Sequence, residues 1–251
     1  QLLLDRKLRF GDFALDVVLT NRNGQSRLYL NDGKGKFKDV TKTKAFPKKQ
    51  GPFTFNAELC DVDGDGDLDL LFDGGANHLP GHATQLLIND GTGKFTDETH
   101  RIVGEPHSDD NQVKCVDVDN DGDFDLVVAS LTNASEKLLR NVDGKGNFKL
   151  VEGAFPRLGD PTLGIDAADF DGDGRIDVLT AQGEVHGQPF LDRIFKNGTK
   201  ATDKNKPIFR AIERPTAVAD EPTVLRLAVS DAHTSETGQH VKSVSLEVTV
   251  K

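Results

Sequence analysis

Asp61-Val62-Asp63-Gly64-Asp65-Gly66-Asp67-Leu68-Asp69 is the first of three related loops. The second is Asp117-Val118-Asp119-Asn120-Asp121-Gly122-Asp123-Phe124-Asp125, and the third is Asp169-Phe170-Asp171-Gly172-Asp173-Gly174-Arg175-Ile176-Asp177. Their first residues lie 56 and then 52 positions apart. Each carries carboxylates at loop positions one, three, five and nine, with Gly at position six. So many anions in nine residues repel one another unless a cation neutralises them. An all-oxygen ligand set with one turn-forming Gly suits a hard ion, and flexible coordination by about 6–8 oxygens favours Ca²⁺ over Mg²⁺. The backbone carbonyl of position seven (Asp67, Asp123, Arg175) is expected to supply a further ligand, which leaves that side chain free to vary, as Arg175 shows. About three Ca²⁺ are therefore expected.

The flanks exclude an EF-hand, which needs helices on both sides and a bidentate Glu at position twelve. Position twelve is Phe72, Val128 and Thr180. Before the first loop, Phe53, Phe55, Ala57 and Leu59 alternate with Thr54, Asn56, Glu58 and Cys60, the period-two pattern of a half-buried strand. After each loop comes a short apolar run: Leu70-Leu71-Phe72, Leu126-Val127-Val128 and Val178-Leu179.

The repeat extends beyond the loop. A further strand follows each one and ends in Asn and a Gly-rich turn, with copies at Asn31-Asp-Gly-Lys-Gly-Lys-Phe37, Asn89-Asp-Gly-Thr-Gly-Lys-Phe95 and Asn141-Val-Asp-Gly-Lys-Gly-Asn-Phe148, and an eroded one at Asn197-Gly198. Such turns tolerate positive φ and close hairpins. The Asn residues step by 58, 52 and 56, in register with the Asp loops. Four strands in each unit of this length is the arithmetic of a β-propeller blade.

Loop, apolar strand and the Asn-Asp-Gly-x-Gly-x-Phe-x-Asp hairpin (Asn31 to Asp39, Asn89 to Asp97) together resemble the FG-GAP/VCBS repeat family, the calcium-binding blade of integrin α propellers. The resemblance covers about residues 1–212. It implies calcium at Asp61, Asp63, Asp65 and Asp69, at Asp117, Asp119, Asp121 and Asp125, and at Asp169, Asp171, Asp173 and Asp177. It implies no single activity, because a fold does not fix a function.

The expected architecture is all-β: one β-propeller domain over 1–251, with about five four-stranded blades near 1–46, 47–104, 105–156, 157–212 and a degenerate closing blade at 213–251. The first blade is degenerate too. It keeps Asp12 and Asp16, but Leu8 and Phe10 stand at loop positions one and three, so no calcium is expected there. Val224–Val229 and Val241–Val250 read as strands of the closing blade. An incomplete propeller, or a small β-sandwich from residue 213, are the rival readings.

The net charge of −10 sits largely in the loops, whose 14 Asp would be offset by three Ca²⁺ to leave −4. Nucleic acid is therefore not expected as a partner. No run approaches the ~18–20 apolar residues of a membrane span. The absence of Met and the start at Gln1 are read as a removed signal peptide or a trimmed chain. Calcium loops of ordinary affinity suit the roughly 10⁻⁴–10⁻³ M regime of extracellular modules. A secreted, periplasmic or cell-surface location follows as the expectation. Cys60 and Cys115 precede successive loops; diverging blades favour two buried free thiols, with a disulfide as the alternative. Two sequons, Asn133-Ala-Ser135 and Asn197-Gly-Thr199, matter only in a eukaryotic host.

Function is expected on the face opposite the calcium loops, where long connections gather. His78, His82, His107, His186, His233 and His240 lie in or beside those connections. With acids such as Asp73, Glu105, Asp109 and Asp110 they would form a metal or acid–base site, against the plainer reading of scattered exposed His. No Trp and a single Tyr argue against sugar stacking. Phe37, Phe95 and Phe148 read as repeat core. The sequence thus points to a calcium-binding extracytoplasmic module for protein or glycan ligands rather than an enzyme. The alternative is a lyase or hydrolase using the loop His and carboxylates.

Overall fold

In the computed structural model, residues 2–5, 14–22, 24–43, 54–74, 83–132, 135–185, 187–200, 208–212 and 227–230 are described. They form strands and two single 3₁₀ turns, with no α-helix. The first sheet is an antiparallel meander of β1 (Leu2–Asp5), β2 (Leu15–Leu19), β3 (Arg27–Asn31) and β4 (Phe37–Asp39). The second repeats it with β5 (Ala57–Cys60), β6 (Asp69–Phe72), β7 (Gln85–Asn89) and β8 (Phe95–Asp97). A short strand, β9 (Ile102–Val103), then crosses to the outer edge of the third sheet and pairs there in parallel. That sheet consists of β10 (Asp110–Val116), β11 (Asp125–Ser130), β12 (Lys137–Asn141) and β13 (Phe148–Leu150). The fourth consists of β14 (Thr162–Ala168), β15 (Asp177–Gln182) and, after a separate small hairpin of β16 (Glu184–Val185) and β17 (Gln188–Pro189), β18 (Arg193–Phe195). Finally, β19 (Ile208–Ile212) pairs with β20 (Leu227–Ser230). No described helix is long and apolar enough to cross a membrane.

The repeat spacing is preserved in atomic detail. Ladder partners Leu59↔Leu70, Cys115↔Leu126 and Ala167↔Val178 stand at equivalent positions. So do the register shifts at Asp110/Gln112 and Thr162/Gly164. The first strands β1, β5, β10 and β14 run side by side in succession. Three cores lie between successive sheets. Val18 and Leu28 meet Leu59, Leu70 and Phe95 between the first and second. Leu71 and Leu86 meet Val113, Leu126 and Phe148 between the second and third. Val116 and Val127 meet Ile165 and Val178 between the third and fourth.

A sheet packed on both faces has no solvent face, so the half-buried expectation is corrected for residues 57–60. All of β5 is buried, including Glu58, whose carboxylate accepts from Cys115 N–H (3.4 Å). The free-thiol expectation is corrected as well. Cys60 and Cys115 form a disulfide, because β5 and β10 keep their Cα atoms 6.5 Å apart at the loop end, within bridging distance.

Phe95 and Phe148 are buried, each against the preceding sheet, whereas Phe37 is 46% exposed. Its repeat is the first, and no described sheet precedes it. Leu15 and Leu19 on that sheet are also exposed, as are Leu163 and Ile194 on the fourth.

Candidate metal centre

Position nine of each loop ties the loop to its sheet. Asp69 accepts from Val62 N–H (3.0 Å) with one oxygen and from Asn89 N–H (2.9 Å) with the other. Asp125 does the same for Val118 (3.3 Å) and Asn141 (2.8 Å), and Asp177 for Phe170 (3.3 Å) and Asn197 (2.7 Å). In the first repeat Asp16 likewise accepts from its hairpin residue, Asn31 N–H (2.7 Å). Position nine is thus a structural residue as well as a candidate ligand, which explains its survival in a loop whose positions one and three are apolar. Asp12 lies outside the described residues.

Position one closes the turn. Asp61, Asp117 and Asp169 each accept from the amide of position six, Gly66 (3.0 Å), Gly122 (3.0 Å) and Gly174 (2.8 Å). Those glycines have φ between 82° and 93°, a region closed to most side chains. Position five accepts from position seven: Asp65 from Asp67 N–H, Asp121 from Asp123 N–H and Asp173 from Arg175 N–H (2.9, 3.2 and 3.0 Å). The amides fold the chain around the carboxylates and aim them inward.

Carboxylates converge in all three loops. Asp61, Asp63 and Asp69 form one group, Asp117, Asp119 and Asp121 a second, and Asp169, Asp171 and Asp177 a third, each with one oxygen per residue within 4.8 Å of the others. Asp65, Asp173 and Asp125 are not in their loop's group. The side chain of position seven is outside all three, and the carboxylate of Asp67 instead lies against Gly91, where an added Cβ would meet it at 2.5 Å.

Burial raises Asp69 and Asp125 to about 8, helped by repulsion from Asp63 and Asp61 in one case and from Asp123 and Asp121 in the other. Asp123 is pushed to about 7 by burial and by Asp121 and Asp117. In the second loop, Oδ1 of Asp119 and of Asp123 are buried with no hydrogen-bond donor. Buried oxygens without donors and carboxylates that resist ionisation are what a divalent cation corrects. The residues fit Ca²⁺.

The hairpin Asn residues carry a role that spacing alone did not reveal. Asn141 donates its amide to Val62 O (2.9 Å) and Asn197 to Val118 O (2.7 Å), each 79 residues back. Each reaches position two of the preceding repeat's loop. They also touch their own loop, as Asn141 does at Phe124 O (3.3 Å). Loops and hairpins therefore interlock along one rim. Use of the Asn197 amide here also occupies the acceptor atom of its sequon.

At the other ends of the strands lie buried ionic groups. Lys137 Nζ meets Asp110 (2.6 Å) and Glu105 (3.3 Å) and donates to Pro106 O (2.9 Å). Thr84 donates to Glu105 through both its amide (3.0 Å) and its hydroxyl (2.9 Å). Glu136 accepts from Ser130 N–H (2.9 Å) and from Thr162 Oγ1. These acids are bound into the fold. Of the His considered for a site on that face, His107 is exposed, while His78, His82, His186, His233 and His240 lie outside the described residues.

Comparison with known proteins agrees with the loop geometry. An FG-GAP-like repeat model matches residues 10–72, 76–128 and 117–180, which together exceed half of the chain. The matches end on Phe72, Val128 and Thr180, position twelve of each loop. Cartilage acidic protein 1 of Mus musculus is 27% identical over 187 residues and that of Homo sapiens 27% over 186, each aligned part covering 70% of this chain. The chain spans 28% and 27% of the length of these relatives. Three consecutive matches, in register with three Asp loops and their hairpins, place the chain in the FG-GAP-like repeat family.

Proposed function

We propose that the protein is a calcium-stabilised β-propeller of about five blades, serving as an extracytoplasmic binding or adhesion module for a protein or glycan ligand. The observation that carries this reading is the interlock of the first two Asp loops with the hairpin of the next repeat, through Asn141 and Asn197. An ion held there braces neighbouring sheets, so the loops serve stability and the opposite rim is left for ligands.

Closure into a ring is supported by the exposed apolar residues at the two ends of the stack, Phe37, Leu15 and Leu19 on one and Leu163 and Ile194 on the other. A further sheet between them would cover both. Residues 213–251 are the proposed source of that blade. A binding role is favoured over an enzyme because Asp110 and Glu105, acids of the ligand rim, are tied to Lys137 inside the fold. An extracellular setting agrees with the calcium level such loops need and with relatives named for cartilage.

The test is a calcium count and a melt. Chelated protein should take up about three Ca²⁺ and no stoichiometric Zn²⁺, and its melting midpoint should rise with millimolar Ca²⁺. A melt unchanged between chelator and calcium would overturn the reading, and tight zinc uptake would favour the enzyme alternative.

A further inference from the structure

Two of the three loops hold a basic side chain that the repeat pattern does not require. Arg140 forms a close ion pair with Asp119 and approaches Asp121 at 3.3 Å. Lys196 meets Asp171 at 2.8 Å. Both residues immediately precede a hairpin Asn, and those Asn amides are fixed to position nine of the loop (2.8 and 2.7 Å). The strand register therefore delivers the residue before Asn to the carboxylates of positions three and five. Leu30 and Ile88 occupy the corresponding place in the first two repeats. The third loop has a second cation, Arg175, whose guanidinium pairs with Asp173 and donates from Nε to Asn197 O (2.9 Å).

The carboxylates these cations touch are the ones a metal ion would need. Asp119 and Asp121 belong to the convergent group of the second loop, and Asp171 to that of the third. Arg140 and Lys196 are 44% and 69% exposed, so each can swing into solvent without unpacking the core. Whether it swings out or stays as a like-charged neighbour, an entering divalent cation loses free energy. Loop charge is a general means of tuning calcium affinity.

We propose that Arg140 and Lys196 are resident counter-cations that compete with Ca²⁺ for the second and third loops and lower their affinity. The inference rests on the calcium reading above. In metal-poor surroundings these side chains hold the loops in shape, and rising calcium displaces them, so the repeats stiffen at different concentrations rather than together.

Calorimetric titration of the chelated full chain with CaCl₂ tests this. R140I and K196I, which install the residue found at 88, should each tighten one site by about tenfold, the scale of one partly screened charge, with the number of ions unchanged. Adding D121A to R140I should abolish the tightened site, and R140K should retain the wild-type affinity because it keeps the charge. R140Q should match R140I and guards against a folding defect in the latter. Calcium uptake that is equal or weaker in R140I and R140Q than in the wild type overturns the proposal while leaving the calcium reading intact. No calcium uptake by any of these proteins, wild type included, overturns both.

Discussion

Asn141 donates to Val62 O at 2.9 Å across 79 residues of chain, and this one side-chain amide joins the loop of one repeat to the hairpin of the next. It is almost fully buried. The carbonyl it reaches is at position two, between the first two candidate ligands Asp61 and Asp63. Asn197 repeats the relationship with Val118 at 2.7 Å. The loops are therefore coupled elements of one rim rather than separate pockets.

Removing that amide leaves a buried carbonyl without its donor, which typically costs about 1–3 kcal/mol. Asn141→Ala should lose about that much stability in urea unfolding and should also weaken calcium binding, since Val62 no longer has a fixed position. A change under about 0.5 kcal/mol would show that the interlock contributes nothing.

Position nine and position five should separate cleanly. Asp121→Ala removes a convergent carboxylate and one bound ion, and costs the metal-free protein only its exposed contacts with Asp123 N–H and Arg140. Asp125→Ala instead strips the buried acceptor from Val118 N–H and Asn141 N–H. In chelator, melting should therefore fall further for Asp125→Ala than for Asp121→Ala, by an amount corresponding to about 1–3 kcal/mol. Equal melting of the two variants in chelator would mean that the contacts of Asp125 add nothing to the metal-free fold.

The repeat and the converging carboxylates were legible in the sequence because both are periodic. Asp loops, apolar runs and hairpin Asn residues recur in one register, and a loop of four carboxylates has few uses besides a cation. What escaped was aperiodic or depended on neighbours. Glu58 sits in an alternating segment yet is buried, because a second sheet covers the side that alternation assigned to water. Cys60 and Cys115 sit at different distances from their loops, and only the packed strands bring them together. Phe37 matches Phe95 and Phe148 in sequence but not in burial, since its repeat stands at an end of the described stack. Asn141 could have been suspected from its recurrence: a turn needs positive φ at one residue, but it does not need a side-chain amide.

The disulfide should make a large share of the metal-free stability. Cys60 and Cys115 are 55 residues apart, and the chain-entropy model gives about 4 kcal/mol for closing such a loop, within the usual 2–5 kcal/mol lost when a native disulfide is removed. A C60A/C115A variant should melt lower than the oxidised protein in chelator, and calcium should restore part of the difference by bracing the same two repeats. A variant that melts with the wild type in both conditions would show that the bridge does not form in solution.

Asp73 supplies a pH test outside the loops. Its Oδ1 accepts from Phe55 N–H (2.8 Å) and Asn56 N–H (2.7 Å), while Oδ2 is buried with no donor. Burial raises this carboxyl to about 8, with Asp110 and Asp109 adding repulsion. A folded-state value above the unfolded one means that the folded protein binds the proton more tightly. The associated stability is complete below about pH 4 and is lost as pH rises to about 8. Asp73→Asn keeps the Oδ1 acceptor and cannot ionise. It should therefore be more stable than the wild type at pH 8, by more than about 1 kcal/mol, with a smaller difference at pH 5. If the wild type and Asp73→Asn follow parallel stability curves from pH 5 to pH 8, Asp73 is ionised throughout and a cation near Oδ2 must hold it so.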